Sequence, residues 1–158
     1  MNLNKFFDKQ KELIKKLIID PSLNDYKLSA RKYLELHVKL GSLADETKCF
    51  KYWIEKDVKI SKAQALDKYI ECLHYILIIG IDKGYTDIEK ITVKPNDYCL
   101  SDQFLGLFID LNDLVFSPSA DHYHTLFEDF ISLGISLGFS EKQIEERFLQ
   151  QNVRKVAL

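Results

Sequence analysis

Apolar residues recur along this chain at spacings of three and four, the period of a helix with one face against a core. Phe6, Phe7, Leu13, Leu17 and Ile18 form the first such stripe and predict a helix from about Leu3 to Ile19. Leu36, Leu40, Leu43 and Phe50 predict a second, from about Ser29 to Trp53. Leu66, Ile70, Leu73 and Leu77 predict a third. It opens near Ser61, which with Gln64 has the spacing of a capping box, and closes at the "GIDKG" turn. A polar connection, "YTDIEKITVKPNDY", with room for one short helical turn, leads to helices from about Ser101 to Phe116 and from about Asp121 to Leu137. A last helix starts at Ser140, again with Gln three residues on, and runs to the C-terminus. Pro21, Pro95 and Pro118 all fall between these segments, where helix breakers belong. No segment alternates with period two for long enough to predict a strand. The expected fold class is therefore all-α, a helical bundle of five or six helices.

Length and charge narrow the picture further. A chain of 158 residues is most simply one domain, 1–158. At that length it can bury roughly 68–70% of the surface its unfolded chain exposes. Cys49, Cys72 and Cys99 are an odd set without a C-x-x-C pair, each beside apolar or aromatic residues, and read as buried free thiols in a reducing cytoplasm. The opening "MNLNKFFDKQKELIKKL" lacks the uninterrupted apolar stretch and cleavage site of a signal peptide. No apolar run approaches the ~20 residues of a membrane span. Net charge is −2 with acids and bases interspersed, so the basic footprint of a nucleic-acid binder is missing. Lys5, Lys9, Lys11, Lys15 and Lys16 alternate with apolar positions and read as a solvated helix face.

Much chemistry is absent. No G-x-G-x-x-G, P-loop or G-x-S-x-G motif occurs. His122 and His124, two apart on a helix, point their rings away from each other and make a poor metal pair. His37 and His74 lie near inner faces and read as core histidines bonded to a carbonyl or an acid. One stripe stands out: Glu35, Lys39, Ser42 and Glu46, at spacings of four, three and four, share one face of the second helix beside its apolar stripe. Helical bundles build ligand and metal sites from such inward polar groups on facing helices.

The segment "HVKLGSLADETKCFKYW", followed by "LDKYIECLHYILIIGIDKGY", resembles the all-α dimeric dUTP diphosphatases, relatives of the MazG-like nucleotide pyrophosphohydrolases. The likeness covers about Ser29 to Tyr85. It is supported by "FDKQKEL" near the start and by "FEDFISLGISLGFSEKQIEERFLQQN" near the end. In that family E-x-x-E on one helix and E-x-x-D on the next hold the Mg²⁺ ions that activate water against the dUTP phosphates. The matching positions here are Lys39, Ser42, Lys68 and Glu71, which carry a net +1 where four carboxylates would carry −4. Mg²⁺ demands hard anionic oxygens, so the resemblance implies a metal site whose ligands have been replaced. Family members also continue into a basic, polar tail that closes over the phosphates. Here "QQNVRKVAL" retains Asn152 and Arg154, which implies a shortened lid.

What the resemblance implies is a homodimeric, cytoplasmic, catalytically degenerate relative with no cofactor and no catalytic residue, Glu46 and Glu71 being residual acids. It would bind or sequester a nucleotide without metal through Gln10, Lys39, Ser42, Trp53, Lys68, His74 and Asn152, or act as a regulatory module on a protein partner. Gln10 and Trp53 would serve the base, Trp53 by stacking, although a structural tryptophan fits the pattern equally. The competing expectation is an active Mg²⁺-dependent diphosphatase for dUTP or a related nucleotide. It would have to rebuild a metal site from Glu35, Glu46 and Glu71, with Asp45 nearby.

Overall fold

A computed structural model describes residues 1–150. Six helices form: α1 (Asn4–Ile14), α2 (Asp25–Thr47), α3 (Lys62–Lys83), α4 (Leu100–Phe116), α5 (Ala120–Ser136) and α6 (Glu141–Leu149). The all-α expectation holds, and among the described residues the one extended pairing is an isolated bridge between Asn2 and Lys90. No helix of the described residues is long and apolar enough to cross a membrane.

Helix ends follow local chemistry. Asn24 accepts a hydrogen bond from the Lys27 amide and starts α2 earlier than the apolar stripe suggests. The same helix stops at Lys48, in the left-handed region at φ 56°, so Phe50 and Trp53 fall outside it. Phe50 is 47% exposed rather than a core residue of the second helix. Helix α1 ends at Ile14 rather than Ile19, because beyond Leu13 its inner face meets nothing: Ile18 is fully exposed and Leu17 only half-buried. The Ser61 hydroxyl accepts from the Gln64 amide, and at Ser140 the capping box is complete. Helix α3 closes at Gly84, whose φ of 75° suits a residue without a Cβ. The connection from residue 85 to 99 contains no helical turn. It is held instead by the N-terminal strip, Leu3 N donating to Glu89 O and Ile91 N to Met1 O.

One core cluster draws on all six helices, with Phe6, Leu36, Ile70, Leu107, Phe127 and Phe148 all buried in it. The α2–α3 interface is the most extensive and α4–α5 the next. Helices α3 and α5 lock reciprocally. Tyr69 of α3 donates to Phe130 O at 2.9 Å and occupies the space over Gly134, while Tyr123 of α5 donates to Ile76 O at 2.7 Å and occupies the space over Gly80. Helix α6 packs Phe148 against Phe6, and Arg147 pairs with Asp67. The cysteine expectation is corrected: Cys72 is buried, but Cys49 is half-buried and Cys99 exposed, because Cys49 follows the end of α2 and Cys99 caps α4 from the connection.

Candidate functional site

Helices α2 and α3 run antiparallel, so residues ascending α2 meet residues descending α3. The edge of their interface carries a ladder of polar contacts: Lys32 with Asp82, Glu35 beside Tyr75, Lys39 with Glu71, and Ser42 and Glu46 with Lys68. The predicted polar stripe is thus real, and all four of its members are half-buried. Lys39 Nζ sits between two carboxylates, 3.6 Å from Glu35 and 3.5 Å from Glu71. Lys68 Nζ donates to Ser42 Oγ at 2.9 Å and lies 3.8 Å from Glu46. Burial, and after it the neighbouring Glu35 carboxylate, pushes the Tyr75 hydroxyl up to about 12. Tyr75 and Glu35 belong to this strip, but nothing in the sequence signalled Tyr75, whose partner is 40 residues away.

This donor set does not fit Mg²⁺. The positions where the resemblance implies acids hold two ammonium groups that occupy the space between the remaining carboxylates. Glu35 and Glu71 are drawn to Lys39 while Glu46 faces Lys68. Among the described residues no three His, Cys, Asp or Glu side chains converge closely enough to hold an ion. Octahedral Mg²⁺ requires close anionic oxygens, and an ammonium at the centre supplies the compensating positive charge itself.

The other predicted site residues fall into separate places. Gln10 of α1 and His74 of α3 meet in the core, where His74 Nδ1 donates to Gln10 Oε1 at 2.5 Å. The ring of His74 lies 4.6 Å from that of Phe148, and Gln10 Nε2 and His74 Nε2 have no partner. Burial alone pushes His74 down to about 4, so the ring is neutral near pH 7. Trp53 sits on the α2–α3 connection, 45% exposed, with Nε1 donating to Glu55 and its ring edge-on to Tyr52 at 5.0 Å. His37 Nδ1 contacts the Tyr33 carbonyl and Nε2 contacts Asn112 Oδ1, but the ring is half-buried rather than in the core, because it lies at the outer α2–α4 contact beside Phe108. His122 and His124 use different partners, Ser117 O and Glu128. Asn152 and Arg154 lie outside the described residues.

The family model described as dUTPase matches residues 2–156. No curated protein and no solved structure matches the chain.

Proposed function

The chain belongs to the all-α dUTPase family, and from that premise we propose that it is a catalytically degenerate member which binds a nucleotide without a metal ion. The observation that carries this reading is the pair of ammonium groups, Lys39 and Lys68, set among Glu35, Glu46 and Glu71, at positions where the resemblance implies metal-binding acids. Each ammonium supplies the positive charge that an ion would bring, and each has further N–H donors for phosphate oxygens. Hydrolysis is another matter. Without a polarising ion the site has no strong activator for water and no clamp for charge developing on the phosphates. The protein therefore sequesters rather than cleaves.

A second reading, a regulatory module acting through protein contacts, is favoured by a different observation. Leu34 and Val38 on α2 and Leu105 and Ile109 on α4 are all more than half exposed, on two helices that touch through His37 and Phe108. We assign a second copy of the chain to this face, in keeping with a family that is typically dimeric.

The deciding experiment is a thermal-shift screen of nucleoside mono-, di- and triphosphates, each with and without Mg²⁺, alongside an assay of pyrophosphate release from dUTP. Stabilisation by a nucleotide that is independent of Mg²⁺ and lost in Lys39→Ala or Lys68→Ala supports binding at the α2–α3 edge. The loss expected for either variant is about 1.5–3 kcal/mol, the range of a charge-assisted hydrogen bond. Metal-dependent release that disappears in Glu71→Gln would establish an active diphosphatase instead. No stabilisation by any nucleotide leaves the protein-contact reading.

A further inference from the structure

The connection between α2 and α3, residues 48–61, has no helix or strand in it and carries a surface of its own. Phe50, Tyr52, Trp53, Ile54, Val58 and Ile60 are all exposed there, Tyr52 at 93% and Ile54 at 99%. Apolar side chains scattered singly over a surface need no explanation, but a run of them on one short segment does. Towards α3 this surface continues into a hollow of about 270 Å³, where Ile60 lies with Ala65, Leu137, Phe139 and Lys62.

Charge separates the possible occupants. From Lys48 to Lys62 five lysines, at 48, 51, 56, 59 and 62, stand against Glu55 and Asp57, a local +3 in a chain of net −2. Lys48 pairs with Asp45, and Glu55 is taken up by Lys51 and by the Trp53 indole. Lys56 and Lys59 are exposed and, among the described residues, have no acid within ion-pair distance. A second copy of the chain would set the same +3 against itself in an isologous contact, which like charges oppose. Single-stranded nucleic acid needs free aromatic faces for its bases. Here Lys51 Nζ lies over the Trp53 ring at 5.6 Å and Tyr52 meets that ring edge-on at 5.0 Å. The most exposed residue of the connection is the aliphatic Ile54. An anionic lipid surface takes all three parts: aliphatic side chains at the acyl boundary, Trp and Tyr rings among the headgroups, and lysines on the phosphates.

We propose that the 48–61 connection docks on an anionic lipid surface, with Tyr52, Trp53 and Ile54 entering the headgroup layer and Lys56 and Lys59 against the lipid phosphates. The contact is with one leaflet and spans nothing. It is separate from the nucleotide reading, and its test uses no nucleotide. Trp53 is the single tryptophan of the chain, so its emission reports on this connection alone.

Co-sedimentation of the full chain with vesicles of phosphatidylcholine, alone or mixed with phosphatidylserine, tests this together with Trp53 emission. Expected are binding to the mixed vesicles that weakens as salt rises, a blue shift of Trp53, and quenching by lipids brominated in the acyl chain. Pure phosphatidylcholine should bind far less. Lys56→Ser with Lys59→Ser should weaken partitioning roughly thirtyfold, the scale of two lysines removed from an anionic surface. Ile54→Asp should abolish the blue shift, and at so exposed a position it should leave the circular dichroism spectrum unchanged. The proposal is overturned if the mixed vesicles leave the chain in the supernatant, if binding survives both variants, or if Trp53 emission stays unshifted in the pellet. It is overturned equally if a single-stranded oligonucleotide binds more tightly than the vesicles with the same Trp53 shift, which assigns the connection to nucleic acid. A lower mass by light scattering for Ile54→Asp would assign it to a second copy of the chain and also overturn the proposal.

Discussion

His74 is the residue whose chemistry is most constrained. Its folded-state value near 4 lies below the ordinary 6.5, so between those values the unfolded chain binds more protons than the folded one. The contribution is complete above pH 6.5 and is lost as pH falls towards 4, on the order of 3 kcal/mol. His74→Gln should flatten that part of the acid-stability profile relative to the parent, as measured by urea unfolding at successive pH values. Comparing variant with parent cancels the opposing contribution of Asp110, whose raised value makes stability fall as pH rises through the same range. An unchanged slope in the variant would mean that the ring is charged or exposed in the fold. Sequence placed His74 on an inner face but could not identify Gln10 as its partner, because the two stand 64 positions apart and meet only when α1 packs on α3.

At the scale of elements, the lock between α3 and α5 should be intolerant of a methyl group. A Cβ at Gly80 would overlap the buried Tyr123 hydroxyl, and one at Gly134 would overlap that of Tyr69. Gly80→Ala gains helix propensity, up to about 1 kcal/mol, but forces apart a rigid contact, and overpacking of this kind costs about 1–3 kcal/mol. The net outcome should be a lower thermal midpoint for both glycine variants, read by circular dichroism; a rise in either would show that the tyrosines shift freely. The α2–α3 pair admits a second test. Lys39→Glu, Ser42→Glu and Lys68→Glu, with Glu71→Asp, crowd carboxylates along one edge and should destabilise the fold. Millimolar Mg²⁺ or Mn²⁺ should then restore stability in this variant and leave the parent unaffected. Absence of a metal response would mean that these positions are not a converted metal site. Helix boundaries were legible where a cap is a short local motif, as at Ser61 and Ser140. They were misread where a stripe outruns its partner, as at Ile18, or where a backbone reversal at Lys48 ends the helix before Phe50.

For the molecule as a whole, the exposed faces of α2 and α4 argue for self-association. Light scattering at micromolar concentration should return twice the chain mass of 18.5 kDa, and Ile109→Glu should shift the population towards monomer. A monomer at every concentration would refute the interface. Sequence by itself determined the all-α class, the helix count to within one, the family, and the presence of Lys39 and Lys68 on the polar faces of α2 and α3, since all of these rest on periodicity, short motifs and residue identity. Tertiary structure alone decided what those residues touch. Only the antiparallel packing of α2 on α3 brings Glu71 to Lys39, which pairs with Glu35 within α2 itself, and brings Lys68 to Ser42 and Glu46. These contacts link positions tens of residues apart, and their energies depend on burial and distance, which no local pattern encodes.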